Sequence, residues 1–253
     1  MNIRPSAFRS VVLLLAGLYI AGLPGGARGA APAPVIGKRG MVVSPQSDAS
    51  AAGLAMLEAG GNAVDAAVAT AFALGVSDAH HSGIGGGGFI LIRWADGTAV
   101  AIDARETAPA AASADMYLKP DLPEHASRLG PLAVATPGLV KGLASALEEF
   151  GTKSLAEVLE PAIRIAEEGF AVGPRHVASV EFWRQMGGAK HFPGTAAIQL
   201  PPDGAPIEPG WRLVQADLGR TLRLIAAEGP DVFYQGSLAR AIAEAVRERG
   251  GIL

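Results

Sequence analysis

Apolar positions along the chain follow two periodicities, and together they predict a mixed α+β protein. Helical spacing marks Ala49 to Ala59, closed by Gly60, and an alanine-rich stretch from Ala63 to Leu74 whose bulkier members are Val64, Val68, Phe72 and Leu74. Ser47 or Asp48 suits the cap of the first helix. Asn62 caps the second, Asp65 brings its charge to the helix N-terminus, and Gly75 is the expected stop. Strand patterns cover Gly40 to Ser44, ended by Pro45, and Phe89 to Trp94, a short apolar run bounded like a buried strand. Asp96-Gly97 then signals a hairpin turn, with Thr98 to Ala104 returning.

The second half predicts mostly helices. Ser113 to Leu118 reads as a short helix and Leu132 to Ala135 as a strand. Thr136-Pro137 has the form of a cap followed by proline at the first helical position, opening a helix to Phe150 with Gly151 as its stop. Ser154-Leu155-Ala156-Glu157 is a capping box. The segment it opens must kink or restart at Pro161 before reaching Gly169. Further helices are expected at Arg175 to Met186, Gln215 to Glu228 and Gln235 to Arg249, with a Gly/Pro-rich excursion over residues 187–210.

Between the alanine-rich helix and the hairpin lies Ser82-Gly83-Ile84-Gly85-Gly86-Gly87-Gly88-Phe89. A P-loop needs a lysine and a hydroxyl residue after its last glycine, opening a helix, whereas here a strand follows. A dinucleotide fingerprint runs from strand to helix, the opposite order. Two readings remain: a tight turn where layers meet, or the edge of a substrate cavity close to Arg105 at the end of the returning strand.

Residues 1–29 have the form of a signal peptide: Arg4 and Arg9, an apolar stretch from Val11 to Ile20, the breaker Pro24-Gly25-Gly26 and small residues before Ala30. Its apolar stretch is short for a membrane span. Export to the periplasm or the outside follows, with no span after cleavage. Loss of Arg4, Arg9 and Arg28 moves the net charge from −3 to −6, which argues against nucleic acid as a partner. With no cysteine, neither a disulfide framework nor a thiolate metal site can form. No cofactor fingerprint is found.

Asp78-Ala79-His80-His81-Ser82 contains every residue type of a hydrolytic triad, but neighbours in one loop diverge, and triads draw on distant segments. His80 and His81 lack helical metal-ligand spacing, so no metal is expected. The loop reads as solvated, or as contacting another part of the protein.

Several of these residues together resemble the gamma-glutamyltranspeptidase family. They are Gly60-Gly61-Asn62-Ala63-Val64-Asp65-Ala66-Ala67-Val68-Ala69, the glycine run from Ser82, Ile102-Asp103-Ala104-Arg105-Glu106-Thr107-Ala108-Pro109, Thr136-Pro137-Gly138, Pro161-Ala162-Ile163 and Gly229 to Gly236. The resemblance implies an N-terminal nucleophile hydrolase, a four-layer αββα sandwich made as a self-cleaving precursor. Residues 30–253 would be the N-terminal portion of its large subunit. The partners implied are a gamma-glutamyl substrate such as glutathione, and the C-terminal part with the small subunit. The new N-terminal threonine of that subunit attacks the gamma-glutamyl amide, its own amine acting as base. By the same resemblance Arg105 binds the substrate α-carboxylate, a role suited to a guanidinium fork. No catalytic residue is expected in this chain: Thr70, Thr98, Thr107, Thr136, Thr152, Thr195 and Thr221 all match other positions, and the nucleophile is expected beyond Leu253. Two alternatives are a beta-lactam (glutaryl-type) acylase of the same fold and a catalytically dead exported binding protein.

Overall fold

The computed structural model describes residues 33–253, so the signal-peptide reading of residues 1–29 lies outside the described residues. Residues 33–39 are exposed, without regular structure, and belong to a separate unit from Gly40–Leu253, which carries all the elements below.

A layer of helices forms the core. Helix α1 (Ser47–Glu58) lies against α2 (Ala63–Ser77), α2 against α4 (Leu155–Glu168), and α4 against α8 (Ala216–Glu228). The small residues of α1 and α2 set their closeness: a Cβ on Gly53 would collide with the Thr70 hydroxyl and stand 2.8 Å from the Ala66 carbonyl. Buried hydroxyls along this seam bond back into their own helix, Thr70 to the Ala66 carbonyl at 2.7 Å and Ser77 to that of Ala73 at 2.9 Å. Helix α2 runs through Gly75, the expected stop, and ends at Asp78, whose N–H bonds the Leu74 carbonyl. Gly75 lies beside Gly83, where a Cβ would stand at an ordinary 3.5 Å from the Gly83 Cα.

Asn62 and Asp65 form a reciprocal capping box, and Asp65 does more than cap. Its carboxylate accepts from the Asn62, Thr152 and Lys153 amides and from the Thr152 hydroxyl, at 2.6 to 3.0 Å. Asn62 in turn donates to the Phe150 carbonyl at 2.7 Å. Two residues of α2 thereby hold the turn that joins α3 (Leu139–Phe150) to α4.

Pro161 does not restart α4, which is continuous from its Ser154–Glu157 capping box to Gly169. An interior proline costs roughly 3 kcal/mol. Leu159, Ala162, Ile163 and Ala166 are fully buried on the same helix, and each large aliphatic side chain contributes about 1.5–3 kcal/mol on burial. Gly169 has φ +77, a conformation favouring glycine, and turns the chain into β3 (Phe170–Ala171), which pairs with β4 (Arg212–Leu213).

Strands β1 (Gly88–Arg93) and β2 (Ala99–Ala104) form the expected antiparallel hairpin, with Ile90 opposite Ile102 and Gly88 opposite Ala104. Their inner face, Ile90, Ile92, Ile102 and Ala104, packs on the core through α3. The outer face is open, with Phe89 73% and Leu91 76% exposed, so β1 is half-buried rather than buried. Among the described residues the αββα sandwich is therefore represented by helices and by two two-stranded sheets.

Four other expectations change. Gly40 to Ser44 alternates in exposure from Met41 on but forms no strand among the described residues. Ser113 to Leu118 makes turns only. Leu132 to Ala135 is not a strand: Pro131–Ala133 is a 3-10 turn, and only Thr136 pairs, with Thr107. Helix α3 starts at Leu139 rather than Pro137, because Thr136 is engaged by Thr107, while the Gly86 carbonyl takes the free Gly138 and Leu139 N–H groups at 3.0 Å each. The excursion over residues 187–210 contains α6 (Gly188–His191) and α7 (Pro193–Gln199), after α5 (Pro174–Gln185). Helices α9 (Asp231–Tyr234) and α10 (Ser237–Arg247) complete the chain. Among the described residues no helix is long and apolar enough to cross a membrane.

Candidate active-site cleft

The glycine run and the end of β2 form one structure. Gly87 passes so close to β2 that a Cβ there would stand 2.5 Å from the Ala104 carbonyl, 2.8 Å from the Glu106 nitrogen and 2.9 Å from the Arg105 Cα. Gly138, at the start of α3, presses on the same backbone from another side: its Cβ would collide with the Ala104 carbonyl and lie 2.5 Å from that of Arg105. The run needs glycine for close approach rather than for left-handed backbone, since none of Gly83 and Gly85 to Gly88 has positive φ. Gly86 differs from Gly87, with ordinary space around its missing Cβ and Glu106 Oε1 3.6 Å away.

Arg105 follows directly. Its backbone N–H is held by the Asp103 carboxylate at 2.9 Å, and Thr107 pairs with Thr136 two residues on, so the backbone is fixed on both sides. The side chain is 56% exposed and makes one ion pair, Nη2 to Glu106 Oε2 at 3.1 Å. Glu106 thus takes the guanidinium, and Asp103 only the backbone. Arg105 lines a cleft of about 540 Å³ together with Gly83, Gly85 to Gly87, Glu106, Leu139 and the loop from Ala79 to Ser82. A larger hollow of about 700 Å³ lies in the proline-rich loop from Pro201 to Trp211, but its ionisable lining is only Asp203 and Glu208. It offers neither a cation nor a nucleophile, so the Arg105 cleft is the candidate site.

The loop from Asp78 to Ser82 is less solvated than its composition suggests. Asp78 is buried and His80 nearly so, while His81 is 61% exposed. His80 Nε2 lies 3.2 Å from Asp78 Oδ1 without hydrogen-bond alignment. The His80 ring also meets the edge of His176 on α5, with centroids 5.6 Å apart, so the expected contact with another part of the protein is present. Burial lowers the pKa of the His80 imidazole against the pull of Asp78. Burial also lowers that of His176, helped by His80. Nothing in the local sequence pattern of His176 announces a partner almost a hundred residues away.

The fold is that of the N-terminal nucleophile hydrolases, as its solved neighbours show. Residues 49–253 match the family model described as gamma-glutamyltranspeptidase, and the chain belongs to that family. It is 47% identical over 228 residues to the Acylase ACY 1 proenzyme of Pseudomonas sp. (strain SE83), covering 87% of this chain and 40% of that protein. It is 42% identical over 226 residues to the glutathione hydrolase proenzyme of Pseudomonas sp. (strain A14), covering 88% of this chain and 39% of that one. The crystal structure of Helicobacter pylori gamma-glutamyltranspeptidase superposes with a TM-score of 0.82 at 36% identity, over 87% of this chain and 63% of that chain. The chain thus spans about two-fifths of the length of these two proenzymes.

Proposed function

We propose that this chain is the N-terminal portion of the large subunit of an exported gamma-glutamyltransferase and glutathione hydrolase, with Arg105 binding the donor's α-carboxylate. The observation that carries this reading is the guanidinium of Arg105: backbone-fixed, engaged by one carboxylate, and open to a cleft walled by bare glycine backbone. A planar fork in such a place binds a substrate carboxylate at two points.

The nucleophile is a threonine hydroxyl from the segment that follows Leu253 in the complete precursor. It attacks the gamma-glutamyl carbonyl carbon, the C–N bond breaks, and the leaving amine takes the proton. Water or an acceptor amine then attacks the resulting ester. Two observations support an external nucleophile. The proenzyme relatives are much longer than this chain. Within it, the hydroxyls of Thr70, Thr98, Thr152 and Thr221 already donate to carbonyls or carboxylates. Alone, residues 30–253 are inactive on this reading, and residues 1–29 are removed on export.

A second reading, a glutaryl-type acylase, is favoured by the 47% identity to an acylase proenzyme. A glutaryl group also ends in a carboxylate that Arg105 could hold. Comparing kcat/KM for a gamma-glutamyl anilide and a glutaryl anilide, with the complete precursor after self-cleavage, separates the two. Preference for the gamma-glutamyl donor supports the proposal, and preference for the glutaryl donor replaces it with the acylase.

A further inference from the structure

We propose that Asp78, His80 and His81 form a binding site for a single zinc-class transition-metal ion at the rim of the cleft. The ligand atoms these three side chains offer lie within 4.8 Å of one another. His80 Nε2 is 3.2 Å from Asp78 Oδ1, and His81 Nδ1 is 3.8 Å from Asp78 Oδ2. A tetrahedral ion with bonds of about 2.0–2.1 Å sets neighbouring ligand atoms about 3.3–3.4 Å apart. The first pair already stands at that spacing; the second is measured to the other carboxylate oxygen, and rotation of the exposed His81 ring toward Oδ1 would gather one atom from each residue around a single ion. Imidazole with carboxylate is a donor set suited to zinc, and three protein ligands leave a fourth position open.

Three features outside the ligands favour a cation here. Asp78 is the C-cap of the 15-residue helix α2, so the negative end of the helix dipole faces the site. The Asp78 carbonyl accepts the His81 and Ser82 N–H groups at 2.9 Å each, holding the turn that brings both rings back over the carboxylate. Gln46 donates to Asp78 Oδ1 at 3.3 Å from the start of α1, the kind of outer contact that orients a ligating carboxylate.

His80 also has an unmet need. Both ring nitrogens of His80 are buried and hydrogen-bond to nothing among the described residues. An unpartnered buried polar atom is unfavourable, and coordination through Nε2 would satisfy the nitrogen that faces Asp78. The spacing Asp-x-His-His is not a helical ligand pattern, and for that reason the sequence argued against a metal. The turn at the end of α2, rather than a helix face, brings the ligands together.

The test is calorimetric titration of the chelator-stripped full chain with zinc chloride, repeated with cobalt(II) and followed by its visible d–d absorption. The expected result is one ion per chain and an intense cobalt spectrum of low coordination number. His81→Ala and Asp78→Asn should each weaken zinc binding by about 10- to 100-fold or more, the range that outer-shell changes alone produce at zinc sites. His81 is exposed, so its variant should keep the wild-type thermal melt, and the loss can be assigned to the ligand. His125→Ala and His191→Ala remove other exposed histidines and should change nothing. Absence of saturable binding, or zinc affinity in His81→Ala equal to wild type, would overturn the site. None of these readouts depends on activity toward gamma-glutamyl donors.

Discussion

Gly87 and Arg105 meet backbone to backbone: a Cβ on Gly87 would stand 2.9 Å from the Arg105 Cα and closer still to the Ala104 carbonyl. The glycine run is therefore the wall against which the arginine strand is set. A residue other than glycine at position 87 must push β2 away and carry Arg105 with it.

This contact separates two neighbouring glycines that look equivalent in the sequence. Gly87→Val should block folding or self-cleavage of the complete precursor, because several backbone atoms lie inside the range a Cβ can occupy. Gly86→Ala should mature normally, since its nearest neighbour is a side-chain oxygen at 3.6 Å. Gel analysis of the precursor-to-subunit ratio checks both. Normal cleavage of Gly87→Val would show that the run is a tolerant loop.

Asp65 should govern acid stability. Burial raises its carboxyl pKa, but the Thr152 hydroxyl and the amides of Asn62, Thr152 and Lys153 outweigh this and hold it below the usual carboxylate value. A depressed folded-state pKa stabilises above the unfolded value, and that stability is lost as pH falls through the folded value. Asp65→Asn keeps the shape but turns two acceptor oxygens into one. It should cost about 3 kcal/mol near neutrality, given roughly 1.5–3 kcal/mol for a hydrogen bond to a charged group. The difference from wild type should shrink below the ordinary carboxylate range. Denaturant melts across pH measure it, and a gap independent of pH would contradict the charged-acceptor account.

The helices were largely legible in the sequence. Asn62, Ser154, Gly151 and Gly169 act where their chemistry placed them, and the Asp96-Gly97 turn forms the hairpin. Departures arose where packing outside the local pattern decided the outcome: α3 starts late because Gly86, some fifty residues earlier, takes its first amides, and Pro161 stays within a helix whose face is buried. The candidate cleft was legible as a glycine run lying close to Arg105. The clustering of Asp78 with both histidines was not, because two backbone hydrogen bonds closing one turn leave no periodic trace.

Removal of residues 1–29 should give a secreted protein beginning near Ala30. Mass spectrometry of the envelope fraction checks this, and an intact Met1 there would contradict it.

Carboxylate binding by Arg105 is tested by the steady-state kinetics of Arg105→Lys in the complete, self-cleaved protein with a gamma-glutamyl anilide. Lysine retains the positive charge but loses the two-point fork. A lost charged hydrogen bond of about 1.5–3 kcal/mol corresponds to a rise in KM of about 10- to 150-fold. Self-cleavage should be intact and kcat little changed, because the arginine holds a part of the donor remote from the scissile amide. A KM equal to wild type would contradict the account and reduce Arg105 to a structural partner of Glu106.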